Sequence, residues 1–283
     1  MPTTPFRRAL AVLGAASVLA VSLTACQADE TTPDESAGTS DYVTEGKLTI
    51  ATGDPAFEPW VVGDPESGEG FEAAVAYAVA EKLGFAKEDV VWVRTGFDEV
   101  IAPGPKTFDF NIQQFSITEE RAKVVDFSSP YYETAQVVIT TEGSAAAGAA
   151  SIADLAGLRI GAATGTTSFD AVEQIIAPTA GAQVFNSNED AVLALQSGTI
   201  DAIVVDLPTA FYLTGAVLDG GLIIGQLPKL DGKNGDDLGL LLPKGSALTA
   251  DVTAAVDALR ADGTLDALAE QWLTDAGNVP LLG

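Results

Sequence analysis

Phe108-Asp-Phe-Asn-Ile-Gln-Gln-Phe-Ser-Ile-Thr-Glu-Glu-Arg121 holds the transition on which the fold turns. Phe108–Phe115 reads as a strand, and a short helix opens from Thr118, capped by Ser116 or Thr118. Arg121 then falls in the first turn of that helix, where the helix dipole disfavours a cation. It reads either as the partner of an outside anion or as half of a surface pair with a neighbouring Glu. In open α/β sheets, ligands sit beyond the carboxyl ends of strands, which is where Ser116 and Arg121 lie.

The same alternation extends in both directions. Upstream, Leu48–Thr52 and Val90–Val93 read as strands, with a helix over Phe71–Leu83 between them. Downstream, strands are expected at Gln136–Thr140, Arg159–Ala163, Gln183–Phe185, Ile200–Val205, Leu222–Ile224 and Leu238–Leu242. Helices are expected from Thr167, from Asn188 (as cap) to Gly198, over Leu207–Thr214, and over Thr249–Ala261 and Leu265–Leu273. Strands alternating with helices predict an α/β fold with mostly parallel sheets. Gly143–Ala150 separates two such series and reads as a surface loop.

Three further strand ends could face a ligand. Gly161-Ala-Ala-Thr-Gly-Thr-Thr167 turns a strand into a helix, whose free N–H groups attract a carboxylate; the bland alternative is an ordinary turn. Its glycines do not have dinucleotide spacing and a Walker lysine is missing. Asp206 closes a strand before Leu207-Pro208, as a helix cap or as a partner for an ammonium. Phe57 and Trp60, with Phe97 further on, belong either to a pocket wall or to the core. Together, an Arg, a helix N-terminus and an Asp suit the two charges of a zwitterion.

The N-terminus reads as a targeting segment. Arg7 and Arg8 precede an apolar run from about Ala9 to Ala20, and Leu-Thr-Ala-Cys closes it at Cys26. Residues 1–25 are therefore expected to be a signal peptide, with Cys26 diacylated as the mature N-terminus, and residues 26–46 a polar, acidic, flexible tether. The alternative is an ordinary signal peptide with an incidental Cys. With one Cys and no His, the chain cannot form an internal disulfide, a Ser-His-Asp or Cys-His nucleophile, or the usual zinc sites. No EF-hand pattern is present either, so neither a metal nor a cofactor is expected. Removing residues 1–25 takes away two Arg and no acid, leaving 12 − 40 = −28. That charge argues against nucleic acid as a partner.

From Lys47 to about Leu273 the chain resembles the bacterial extracellular solute-binding proteins of the polar amino-acid class, family 3. The matching pieces are D-P-A-F-E-P-W (54–60), E-G-F-E-A-A-V-A-Y-A-V-A-E-K-L-G (69–84), F-S-I-T-E-E-R-A-K-V-V-D-F-S-S-P-Y-Y (115–132), I-G-A-A-T-G-T-T (160–167), D-A-I-V-V-D (201–206) and L-R-A-D-G-T-L-D-A-L-A-E-Q-W (259–272). The third is highly specific. The resemblance implies a two-lobed, type II periplasmic-binding-protein-like clamshell, each lobe a mixed sheet flanked by helices. Lobe 1 would comprise residues 47–135 and 237–283, and lobe 2 residues 136–236, with crossings near Thr134–Gln136 and Asp236–Leu238. The implied protein is an extracytoplasmic, lipid-anchored monomer that binds a polar amino acid in the cleft, closes on it and delivers it to an ABC permease.

Carried over by position, the resemblance implies that Arg121 grips the α-carboxylate, assisted by N–H groups at Ser116 and Thr166 and by the Thr166 side chain. Asp206 would take the ammonium, Phe57 would lie against the side chain, and Asp54 would read its tip; Phe97 and Gln114 complete the expected site. Two departures stand out. Where many members read G-F-D-x-D-L, this chain has Gly70-Phe-Glu-Ala-Ala-Val75, without that acidic partner. Gln113-Gln114 replaces small residues and would shrink the cleft and add donors, and Ala102-Pro-Gly-Pro105 replaces a usual helix. A sensory module, or a cyclohexadienyl-dehydratase-like enzyme with Asp54 or Glu58 as the acid, are the competing readings.

Overall fold

A computed structural model describes residues 41–229, 236–273 and 279–283. Signal peptide, Cys26 and most of the expected tether lie outside the described residues.

Two five-stranded mixed sheets organise the chain. In the first, the order is β2 (Val90–Thr95), β1 (Leu48–Gly53), β3 (Phe110–Asn111), β10 (Asp236–Pro243) and β4 (Val125–Thr134). β1 lies parallel to β2 and β3, while β10 runs antiparallel to β3 and β4. In the second, the order is β7 (Gln183–Phe185), β6 (Ile160–Ala163), β8 (Ala202–Asp206), β5 (Gln136–Thr141) and β9 (Gly221–Gln226). β6 lies parallel to β7 and β8, and β5 antiparallel to β8 and β9. The expected two-lobed α/β architecture with mixed sheets is the one observed, whereas the mostly parallel pairing expected from the strand–helix alternation is not, since each sheet has two parallel and two antiparallel pairings.

The first core forms where α1 (Phe71–Lys82), α7 (Thr249–Ala261) and α8 (Thr264–Trp272) cover the sheet. Leu48, Ile50, Phe71, Val75, Val79, Leu240, Leu242, Val252 and Leu259 meet there, all buried. Each such side chain contributes about 1.5–3 kcal/mol by leaving water. α1 places Ala73, Ala76 and Ala80 among its buried positions, so it can approach its neighbours closely. It ends in a Schellman cap, with Phe85 N–H on Ala80 O (2.9 Å) and Gly84 N–H on Glu81 O (3.0 Å). Gly84 supplies the left-handed residue this needs, at φ 88°.

Several expectations are corrected. The strand expected over Phe108–Phe115 pairs only at Phe110–Asn111, because Gln114 adopts a left-handed φ of 49° that breaks the ladder. The ten-residue β4 was not anticipated from the sequence: its Ser128-Ser129-Pro130 lacks a strand signature, yet an edge strand with register shifts in its partner tolerates a proline. The helix from residue 188 is capped by Ser187, whose Oγ accepts from Asp190 N–H at 3.2 Å, not by Asn188. The tether reaches less far than residue 46: Tyr42 packs edge-on against Phe85 at 5.0 Å, and Val43 N–H donates to Asp109 at 2.8 Å. Residues 279–283 join the second sheet, not the first, with Leu282 buried beside Ile160 and Val204 and its N–H on Gln226 O at 2.8 Å.

The chain passes between sheets at Ala135, directly from β4 to β5. Asp236, opening β10, pairs with Thr134 at the same level. Among the described residues, no helix is long and apolar enough to cross a membrane.

Candidate functional site

The carboxyl ends of β1, β6 and β8 and the loop after β3 surround a cavity of about 340 Å³. Asp54, Phe57, Phe97, Gln114, Ser116, Arg121, Thr166 and Asp206 all line it, so the structure brings the expected side chains together.

Arg121 is 8% exposed, and among the described residues no carboxylate lies within salt-bridging distance of it. Its Nη1 donates to Ser116 O and its Nη2 to Gly165 O, both at 2.8 Å. The second of these partners belongs to the turn that follows β6 in the other sheet. The guanidinium lies 5.4 Å from the centre of the Phe97 ring and 5.8 Å from that of Phe115, and those two rings stack at 4.5 Å. Five N–H bonds with two carbonyls attached leave donors for an anion in the cavity. Burial lowers its pKa, opposed by Asp170, Asp236 and Asp206.

Ser116 bridges to Leu238 while Ile117 N–H and Gly239 N–H make the flanking bonds to Asp237 O and Phe115 O. In such a non-hydrogen-bonded pair the residue's own N–H and C=O point away from the neighbouring strand. Ser116 N–H therefore faces the side on which its carbonyl meets Arg121. Its hydroxyl lies 3.1 Å from Thr167 Oγ1, across the cleft.

The Thr166 hydroxyl differs from its expected role. It caps α4 (Thr167–Ala171) by accepting from Phe169 N–H at 3.1 Å, and its own proton goes to Ala163 O at 2.7 Å. With that donor engaged, only the backbone N–H groups at the helix start remain for an anion.

Asp206 stands in the cap position before α6 (Leu207–Tyr212) but makes no cap bond. Its Oδ1 accepts from Gln136 Nε2 at 2.8 Å, and the same nitrogen reaches Asp236 Oδ2 at 2.8 Å. Burial first, and Asp236 second, push the Asp206 carboxyl up to about 7. A cation in the cavity would offset both causes.

Gln113 and Gln114 both reach the cavity. Gln114 adds less donor capacity than expected, since its Nε2 and its backbone N–H (2.8 Å) both donate to the buried Glu72. Tyr131 O–H donates to that carboxylate as well. Burial pushes Glu72 up to about 7, against these three hydrogen bonds. The departure in Gly70–Val75 thus leaves one acid in use, at Glu72. Gln113 packs its amide over Gly53, where a Cβ would come within 3.0 Å of Nε2.

Trp60 is core, not pocket wall. It packs against Phe71 and Tyr132, and its indole N–H donates to Thr209 Oγ1 at 2.9 Å in α6 of the second sheet. This bond crosses the cleft away from the cavity. Trp60→Phe should therefore remove a bond between the two lobes, about 0.5–1.5 kcal/mol. Solute affinity should fall roughly three- to tenfold, measured by calorimetry; unchanged affinity would contradict this role. Asp98, Glu99, Asn186, Ser187 and Asn188 also line the cavity and were not anticipated from the sequence.

The two raised carboxyls carry a stability consequence. A folded-state pKa above the unfolded one adds stability that is complete below the unfolded value and lost as pH rises through the folded value. For Glu72 and Asp206 that loss centres near pH 7, and the chain has no His to titrate beside them. From pH 5.5 to 8, ligand-free protein should lose ~2 kcal/mol per group, read as a lower melting temperature at pH 8. A higher melting temperature at pH 8 would contradict it.

Residues 48–275 match the model of the bacterial extracellular solute-binding proteins, family 3. The L-arginine-binding protein of Pseudomonas aeruginosa is 30% identical over 228 residues, 77% of this chain and 85% of that protein. Among solved structures, an ancestral arginine-binding protein bound to arginine superposes with a TM-score of 0.66 at 32% identity, covering 81% of this chain and 99% of the other. An ancestral arginine-binding protein bound to glutamine gives 0.67 at 32%, covering 81% and 98%. With the matched segment spanning both sheets and every residue of the cavity, the chain belongs to the bacterial extracellular solute-binding proteins of family 3.

Proposed function

We propose that this solute-binding protein takes up a polar amino acid whose side chain donates hydrogen bonds, and delivers it to an ABC permease. One observation carries the reading: among the described residues, Arg121 is the sole cationic residue lining a cavity that also holds Asp206, Asp54, Asp98 and Glu99. With the α-carboxylate on Arg121, Ser116 N–H and the start of α4, and the ammonium on Asp206, the charged groups left for the side chain are the acids Asp54, Asp98 and Glu99, with amides at Gln113, Asn186 and Asn188. Ionised carboxylates accept and do not donate, which favours guanidinium, ammonium or amide tips over carboxylate ones. Phe57 and Phe97 supply the apolar flank. The arginine and the glutamine bound in the two ancestral structures support the same class. Asp206, buried at the cavity wall and suited to an ammonium, favours binding over dehydration chemistry. Native mass spectrometry of the purified protein tests the reading. A co-purified basic amino acid or glutamine is expected, and a dicarboxylic amino acid would overturn it.

We further infer an extracytoplasmic monomer anchored through Cys26, from Leu23-Thr24-Ala25-Cys26 at the end of the apolar segment. Cys26→Ser should move the protein from the membrane to the soluble extracytoplasmic fraction, or leave it unprocessed. A membrane-bound variant with a normally cut N-terminus would contradict the anchor.

A further inference from the structure

Gln114 is one of two residues with side chains that the described structure holds at positive φ, and it lines the solute cavity. A left-handed backbone is costly for any residue with a Cβ, so something must hold it there. The sequence supplies no glycine or asparagine at this turn. The restraint comes instead from helix α1, 42 residues upstream.

Glu72 is completely buried and does not line the cavity. Its Oε1 accepts from Gln114 N–H at 2.8 Å and from Tyr131 O–H, and its Oε2 accepts from Gln114 Nε2. Both ends of Gln114, backbone and side chain, are thus fixed to a single carboxylate. The turn matters because of what lies on either side of it. Asn111 is still in register with β1 and β10, and Ser116 pairs again with Leu238. Between them the chain leaves the ladder, and Gln113, Gln114 and Ser116 come to line the cavity while Ser116 O meets Arg121.

We propose that Glu72 is a positioning residue of the solute site: it clamps Gln114 in the left-handed conformation and so shapes the wall from Gln113 to Ser116 without touching the solute. The proposal rests on the reading of this cavity as the amino-acid site.

The bonding pattern dictates the variants. Oε1 receives both the backbone N–H and the tyrosine O–H, and an amide oxygen can do the same while the Gln114 amide turns over. Glu72→Gln is therefore the conservative change. Glu72→Met keeps the length and removes the acceptor. Gln114→Gly removes the conformational cost that the clamp offsets.

Titrations with L-arginine and L-glutamine should be run on the wild type, the three single variants and Glu72→Met/Gln114→Gly, with crystal structures of the wild type and Glu72→Met. Glu72→Gln should bind within about threefold of wild type. Glu72→Met should lose at least about tenfold, with Gln114 moved to negative φ. Adding Glu72→Met to Gln114→Gly should cost less than about threefold. If Glu72→Met cannot be purified, recovery of a folded, binding Glu72→Met/Gln114→Gly protein supports the clamp, and its failure to fold overturns it. Gln114 unmoved in Glu72→Met, or an equal loss in both backgrounds, also overturns it by making Glu72 a core group only. A wild type that binds neither amino acid counts against the functional reading instead, while the conformation of Gln114 in Glu72→Met still decides the clamp.

Discussion

Arg121→Ala weakens solute binding by at least about thirtyfold, a loss of roughly 2 kcal/mol. The size follows from two kinds of contact. Among the described residues lining the cavity the guanidinium is the one cation, and it also ties Ser116 O in one sheet to Gly165 O in the other at 2.8 Å each. Its removal takes away the charge-assisted grip on the carboxylate and a bond across the cleft, and leaves Phe97 and Phe115 stacked beside a void. Arg121→Lys does not restore the affinity. An ammonium cannot present the planar fork that reaches two carbonyls and a carboxylate together. Calorimetric titration checks both variants, and near-normal affinity in Arg121→Ala removes this residue from the site.

Asp206→Asn has the second large effect, and it carries a pH signature. In the proposed site the solute's ammonium meets the ionised Asp206 carboxylate, which burial and Asp236 have pushed up to about 7 in the free protein. Below that value a proton must leave before the solute binds, so affinity falls as pH falls. Between pH 8 and pH 5.5 the wild type should lose about thirtyfold, measured with a solute that does not itself titrate there, such as glutamine. Asp206→Asn should bind at least about tenfold more weakly at pH 8, a loss of about 1.4 kcal/mol, and show a flatter pH profile. A variant retaining the full pH dependence would place the titrating group elsewhere, with Glu72 the next to test.

What the sequence made legible was local. Asp206 closes β8 just before α6, a strand end meeting a helix start that is visible over a few residues. Ser116 and Arg121 were legible as polar and charged residues beyond a strand, although that strand ends at Asn111 and the helix expected from Thr118 is only a three-residue 3-10 turn, Arg121–Lys123. The residues that went unread act at long range. Glu72 meets Gln114 across 42 positions and Trp60 meets Thr209 across 149, and no spacing rule links either pair. Thr166 was over-read for the opposite reason: its hydroxyl serves the nearest backbone groups, Phe169 N–H and Ala163 O, before any ligand. The end of the chain misled similarly. Two helices at 249–272 belong with the first sheet, but a few more residues carry Leu282 over to the second, where Gly225 leaves room for it.

The most direct test of the amino-acid reading is calorimetric titration of the mature protein at pH 8 with arginine, lysine, histidine, glutamine and glutamate in parallel. Saturable one-site binding is predicted for at least one of the first four, with glutamate weaker than it. Tight glutamate binding with silence from the other four, or no binding by any, would contradict the account.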